Sequence, residues 1–223
     1  MLSDNELITR IITSIILICI VAAFILINKF FFYVGLLTIS SICFFEWINI
    51  NKPYFKKKKN KIKLIYVIGL SYIIIFFIAS IVIYTEISKF FLIFIILICA
   101  ASDVGGYIFG KIIGGIKLTK ISPKKTISGS LGSFIFSLVP LLLFSYKKNE
   151  ILNLDLSFYN ISFFLIISLS CQCGDLVISY FKRLNKVKDT GKILPGHGGL
   201  LDRVDGIIFA VPSALLLLTI YSF

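Results

Sequence analysis

The stretch K-K-K-K-N-K-I-K-L-I-Y-V-I-G-L-S-Y-I-I-I-F-F-I-A-S-I-V-I-Y, Lys56 to Tyr84, decides the fold class. Its second part, Leu64 to Tyr84, is 21 residues without a charge. About 20 apolar residues in a helix, rising about 1.5 Å each, cross a hydrocarbon core roughly 30 Å thick. Its first part sets six lysines against one end of that run. An apolar helix with cations at one end has the form of a membrane span with an orienting flank. The lysines are also a candidate nucleic-acid or headgroup patch, but they lack the aromatic residues that single-strand binders interleave with charge. We read them as a stop signal beside anionic lipids.

Working outward, the same count finds Ile11–Ile27, Phe30–Ile48, Phe90–Phe109, Ile127–Tyr146, Phe158–Leu176 and Val204–Phe223, making seven expected spans with Leu64–Tyr84. Gly105, Gly106 and Pro212 interrupt two of them, which membrane helices tolerate where protein or water satisfies the freed backbone. The first run does not read as a signal peptide, because no small-residue cleavage site follows and a second run begins almost at once. Composition agrees. Of 223 residues, 58% are hydrophobic and only 15% charged, with a mean hydropathy of +0.98. That excludes an ordinary cytosolic enzyme, and 22 Phe exclude a disordered segment. The expected fold is an all-α polytopic membrane helical bundle of about seven transmembrane helices. Residues 1–100 form an expected N-terminal scaffold and residues 101–223 a catalytic membrane region, within one integrated domain.

The formal charge is +12, and its distribution sets the expected orientation. Alternate loops carry Arg10, then Lys52 to Lys63, then Lys111 to Lys125, then Lys182 to Arg203, which together hold 19 of the 23 basic residues. The opposite loops carry only Lys29, Lys89, Lys147 and Lys148. The positive-inside rule then puts the amino terminus and the large loops in the cytoplasm. The five cysteines all lie in apolar runs without metal-site spacing and read as small buried hydrophobes.

The second half differs in kind. Thirteen of the 15 glycines fall between Gly105 and Gly206, as does the single histidine, His197. Twenty of the 23 basic residues are Lys, yet Arg183 and Arg203 are kept there, which suggests planar contacts with phosphate or carboxylate. Three clusters stand out. In S-D-V-G-G-Y-I-F-G-K, Ser102 to Lys111, Asp103 lies 13 residues into its run, about 20 Å deep. A carboxylate there is a functional candidate or one half of a structural ion pair. Gly105 and Gly106 would let another helix approach closely. In K-I-S-P-K-K-T-I-S-G, Lys120 to Gly129, hydroxyls, lysines and glycine close to a helix start form either a phosphate site or a plain basic loop.

The third cluster runs from Gln172 to Gly206. At 100° per residue from Asp175, Ser179 falls near 40°, Lys182 near −20° and Lys186 near 20°, one polar stripe on a helix that passes the membrane surface. A glycine-rich turn, Pro195 to Gly199, precedes Asp202-Arg203-Val204-Asp205 at the start of the last span. Carboxylates facing cations suit a divalent metal with phosphate, since Mg²⁺ takes one or two carboxylates and fills its shell from phosphates and water. A solvated salt-bridge cluster is the alternative.

The segment S-Y-F-K-R-L-N-K-V-K-D-T-G-K-I-L-P-G-H-G-G-L-L-D-R-V-D, Ser179 to Asp205, resembles the signature of the phosphatidate cytidylyltransferases, also called CDP-diacylglycerol synthases. D-V-G-G-Y-I-F-G-K and S-P-K-K-T resemble further blocks of that family, in the expected order. The resemblance implies an integral membrane enzyme of phospholipid biosynthesis that makes CDP-diacylglycerol and pyrophosphate from CTP and phosphatidic acid with Mg²⁺. It implies Asp175 and Asp202 as metal ligands, with Asp205 and Asp189 as further participants. Ser128 stands where family members often carry Glu or Gln.

For that chemistry the nucleophile, a phosphate monoester with a second pKa of about 6, is already charged at pH 7 and needs no strong base. His197 is then a positioning or pyrophosphate-contacting residue, or a structural part of its turn. Asp175, Asp202, Arg203, Asp205 and Lys182 are the expected catalytic residues. Ser122, Lys124, Lys125, Thr126, Ser179, Arg183, Lys188, Asp189, His197 and Asp103 are the expected substrate contacts. The expected partners are CTP, phosphatidic acid and membrane lipids, with no nucleic acid and a homodimer left open. The expected place is the inner plasma membrane, with the site on its cytoplasmic face. A related CTP-using enzyme acting on another lipid, or a transporter with Asp103 and Asp175 on an ion path, are the rival readings.

Overall fold

The computed structural model describes residues 4–55, 62–146 and 155–221; Lys56 to Lys61, Lys147 and Lys148 lie outside them. The described residues form α1 (Asp4–Leu26), α2 (Lys29–Phe55), α3 (Ile62–Val82), α4 (Lys89–Ile112), α5 (Ile127–Ser137), α6 (Val139–Tyr146), α7 (Phe158–Leu184) and α8 (Leu201–Tyr221). A wider turn, Ile83–Ile87, continues α3. Seven described segments are long and apolar enough to cross a membrane, and they match the seven expected runs. The protein is therefore an all-α polytopic membrane helical bundle.

Helix ends differ from the apolar runs, because hydropathy marks the hydrocarbon while backbone hydrogen bonds continue into polar sequence. Thus α2 extends past Ile48 to Phe55, α7 extends past Leu176 to Leu184, and α8 begins three residues before Val204. The run Ile127–Tyr146 is two helices rather than one. They meet at Leu138, whose N–H turns back to the carbonyls of Ile135 and Phe136, two residues before Pro140, which has no N–H to continue the ladder.

The chain forms two compact units. The first comprises Met1–Ile81 and Phe181–Val204. In it the Asn28 side chain accepts from Phe31 N at 2.9 Å and starts α2. Phe24 of α1 lies against Gly35 of α2, at a spot where any Cβ would overlap the ring. Trp47 is 4% exposed; it donates to the Ile65 carbonyl at 3.2 Å and meets the Phe181 ring edge-on at 4.6 Å between centroids. Most of α1 presents its apolar surface outward, as a lipid-facing helix does.

The second unit comprises Val82–Tyr180 and Asp205–Phe223. Here α4 and α5 cross at glycines, as the small residues allowed. A Cβ on Gly105 would collide with the Gly132 carbonyl and with Phe136, and one on Gly132 would collide with Phe109. The same device joins α7 to α8, where Gly174 abuts the Asp205 carbonyl and Gly206 abuts Cys171. Phe91, Phe94, Phe144, Phe163 and Phe164 fill the core with edge-on ring contacts.

Candidate active site

The expected site residues fall into two groups, one in each unit. In the first unit the group is built on the segment between α7 and α8. Helix α7 ends in a left-handed cap: Lys186 has φ +56, its N–H bonds to the Arg183 carbonyl at 3.1 Å, and Val187 N bonds to the Lys182 carbonyl at 3.0 Å. Lys186 therefore does not continue the polar stripe, which stops at Lys182. This corrects the sequence reading; a lysine occupies the position where glycine would have signalled the stop.

The chain then turns sharply at Leu194-Pro195-Gly196-His197. His197 N bonds to the Leu194 carbonyl at 3.0 Å and Gly196 has φ +72, so a proline–glycine pair occupies the centre of a type II turn. His197 Nε2 lies 3.1 Å from Ser14 Oγ of α1, and Arg203 holds the His197 carbonyl at 3.0 Å. Burial, with the Arg203 charge next, pushes the imidazole below the usual histidine range.

Asp202 sits where this segment enters α8. Its Oδ2 accepts from Thr190 N at 2.7 Å, Thr190 Oγ1 at 2.9 Å and Gly199 N at 3.2 Å, while Oδ1 accepts from Lys182 at 2.6 Å. Three donors thus converge on Oδ2, while Oδ1 faces the Lys182 ammonium. Arg183, Lys188 and Asp189 are exposed around this cluster, as is Arg203.

One residue of this group escaped the sequence reading. Glu46 of α2 is 2% exposed. It accepts from Leu200 N at 3.0 Å and Leu201 N at 2.8 Å, and its Oε2 lies 2.9 Å from Thr190 Oγ1, whose one proton is shared between Glu46 and Asp202. Its signal was present, since a lone carboxylate inside an apolar run is a functional candidate by default. Beside it, Asn51 is fully buried and accepts from Asn185 Nδ2 at 3.1 Å.

In the second unit the Lys125 ammonium lies 2.5 Å from Asp175 Oδ2, and Ser179 Oγ donates to Asp175 Oδ1 at 3.2 Å. The Asp175 side chain is 36% exposed. The S-P-K-K-T segment is tied back by Leu118 N to the Lys125 carbonyl and by Ile127 N to the Ile116 carbonyl. Thr126 then caps α5 by accepting from Gly129 N at 3.1 Å. Ser122 closes the turn through its carbonyl, which accepts from Lys125 N at 3.0 Å, while Lys124 is exposed. Ser128 bonds to Thr126 Oγ1 at 3.0 Å and donates to the Gly114 carbonyl.

Below Asp175 a polar ladder continues along α7. Ser130 donates to Gln172 at 2.6 Å, Gln172 to Ser168 at 3.4 Å, and Ser168 bonds to Ser102 at 2.8 Å. Asp103 of α4 is exposed and takes a long contact of 3.9 Å from the Cys171 thiol. Asp205 Oδ1 accepts from the adjacent Gly206 N at 2.9 Å.

Each unit of this all-α membrane protein thus sets one carboxylate against one lysine, beside hydroxyls and backbone amides. Residues 54–221, well over half of the chain, match the cytidylyltransferase family, and the chain belongs to it. It is 43% identical over 129 residues to the phosphatidate cytidylyltransferase of Staphylococcus aureus (strain COL), a match covering 57% of this chain and 48% of that one. It is 42% identical over 136 residues to the protein of that name from Staphylococcus saprophyticus, with the same coverage. The protein of that name from Staphylococcus haemolyticus is 42% identical over 129 residues, again across 57% and 48%. The chain spans about half the length of the curated relatives it matches. The resemblance carried by Ser179–Asp205 thus holds at the level of the family.

Among the described residues no three His, Cys, Asp or Glu side chains gather into a metal-binding group. A Mg²⁺ ion here would depend on one or two carboxylates with phosphate and water. Asp175 fits that role, being part exposed with a neutral hydroxyl on one oxygen. Asp202, 7% exposed with three donors on Oδ2, would meet an ion through Oδ1 beside Lys182, as Asp175 would beside Lys125.

Proposed function

We propose that the protein transfers CMP from CTP to phosphatidic acid, releasing pyrophosphate and forming CDP-diacylglycerol. The observation that supports this most directly is the 43% identity across 129 residues to relatives that carry the name phosphatidate cytidylyltransferase. The side chains suit the chemistry. The phosphatidate monoester attacks the α-phosphorus of CTP as a dianion, so no buried base is needed. The task is to hold two polyanions together and to stabilise charge on departing pyrophosphate. Exposed Lys124, Arg183, Lys188 and Arg203 are the proposed phosphate contacts, and neutral His197 serves as a positioning group. The Ser122 and Thr126 hydroxyls are proposed contacts alongside Lys125.

Asp175 and Asp202 are the proposed Mg²⁺ ligands, with Asp189 and Asp205 as further participants. When bound, Mg²⁺ neutralises phosphate charge and orients the leaving group. The proposed orientation puts the amino terminus and these loops in the cytoplasm, in the inner membrane, where CTP is dissolved and phosphatidate is anchored. The test is pyrophosphate release by purified protein in detergent with Mg²⁺ and CTP, with and without phosphatidate. Release that depends on phosphatidate is expected; none under varied metal and lipid conditions overturns the reading.

A further inference from the structure

Glu46 is an acidic side chain in the C-terminal part of a membrane-spanning helix, and the family resemblance does not assign it a role. Its carboxylate reaches the start of α8, where the first amides of a helix lack partners within it. Oε1 takes Leu200 N at 3.0 Å and Oε2 takes Leu201 N at 2.8 Å. The backbone is cut away to admit it. A Cβ on Gly191 would strike Oε1, and one on Gly199 would lie 2.5 Å from Oε2. The fit is therefore made from both sides, by a carboxylate that fills a gap only two glycines leave.

Thr190 couples this clasp to Asp202. Its single hydroxyl lies 2.9 Å from Glu46 Oε2 and 2.9 Å from Asp202 Oδ2. Its backbone N–H holds Asp202 Oδ2 as well, and Asp202 in turn holds Lys182. Three links thus run from α2 to the cation, through Glu46, Thr190, Asp202 and Lys182. We infer that Glu46 is a positioning residue for the proposed cytidylyl transfer, fixing Asp202 and Lys182 through Thr190 and the glycine-rich segment. The inference rests on that reading of the function, while the clasp itself is testable without it.

Glu46→Gln is the informative variant. Whichever way the carboxamide turns, its NH₂ faces either Leu200 N or Leu201 N, so one amide loses its acceptor. The measurements use the full chain in detergent. Hydrogen exchange of residues 186–206 reports the clasp, and kcat and KM for CTP, per folded molecule, report positioning. Exchange at least fivefold faster in that segment, with kcat at least tenfold lower and KM within threefold, is expected. Unchanged exchange, or a wild-type kcat whatever the KM, overturns the inference. If Glu46→Gln does not fold, Thr190→Val carries the test, because it removes the shared hydroxyl and keeps both Glu46 amide bonds. It is expected to lower kcat at least threefold with KM unchanged, and a wild-type kcat overturns the inference. If the wild-type protein releases no pyrophosphate, the functional reading fails, and the exchange measurement still decides the clasp.

Discussion

The ammonium of Lys182 lies 2.6 Å from Oδ1 of Asp202, with side chains 14% and 7% exposed, so this ion pair is largely shielded from water. Lys125 and Asp175 make the same pair at 2.5 Å, but at 26% and 36% exposure. One chemistry in two settings gives different expectations. A buried acceptor that loses its charge leaves donors unsatisfied, at about 1–3 kcal/mol. A part-exposed pair is worth about 0–1 kcal/mol, because water replaces the partner.

Asp202→Asn is therefore expected to abolish pyrophosphate release and to destabilise the fold by about 1–3 kcal/mol, since its new NH₂ faces either Lys182 or the Thr190 and Gly199 amides. Asp175→Asn is expected to abolish release with a change in stability below about 1 kcal/mol. Thermal unfolding in detergent beside the release assay separates the two. Wild-type turnover in both variants would remove these carboxylates from the chemistry.

How far these relationships could be read in advance depends on whether the cause is local. Leu64–Tyr84 announces a span because its own 21 residues satisfy the length and polarity rule. The bond from Ser179 to Asp175 was legible in the same way, since residues four apart share a helix face. The partners of Glu46 were not, because Thr190, Leu200 and Leu201 are distant in sequence and are brought near only by folding. Lys186 misled for a local reason. Its side chain continues a helical stripe, while the backbone reverses there without the glycine that normally marks the reversal. Carboxylates facing cations were anticipated as a group, but the particular pairing of Asp202 with Lys182, and the donors that Thr190 and Gly199 aim at Oδ2, depend on backbone roles that leave no mark in sequence.

The cap at Lys186 carries its own prediction. A non-glycine residue at φ +56 bears roughly 1 kcal/mol of steric cost that glycine avoids. Lys186→Gly is expected to raise stability by about 0.5–1 kcal/mol, and Lys186→Val to lower it by about 1–2 kcal/mol through its branched Cβ. Unfolding midpoints measured at one detergent concentration check both signs. A lower midpoint for the glycine variant contradicts the cap.

The crossing of α4 and α5 depends on absent side chains. A Cβ at Gly105 meets Phe136 Cβ at 2.5 Å as well as the Gly132 carbonyl, and neither backbone can yield without parting the helices. Gly105→Val is expected to cost about 1–3 kcal/mol or more by overpacking, seen as loss of monodisperse protein on size exclusion. Gly114→Ala provides the contrast in space: no atom lies within 4 Å of its Cβ position, and its cost arises only from φ +62, about 1 kcal/mol. Equal losses in the two variants would mean that the crossing is not what glycine serves at Gly105.

His197 gives the pH dependence. Burial, then the charge of Arg203 and more weakly that of Arg10, lowers its pKa in the fold, against the smaller opposing effect of the Pro195 carbonyl. The unfolded chain, with a histidine pKa of about 6.5, then binds the proton more readily than the folded one. Stability therefore rises with pH through the window between the lowered value and about 6.5, and it falls as pH drops through that window. Above about pH 7 the ring is neutral in both states and contributes no slope. His197→Gln keeps a polar group near Ser14 and removes the titration. Unfolding midpoints of the variant are expected to fall less than those of the wild type between pH 7 and 5.5, with the two curves parallel from pH 7 to 8. A wild-type curve that matches the variant on the acid side would show that the imidazole is not held neutral by its surroundings.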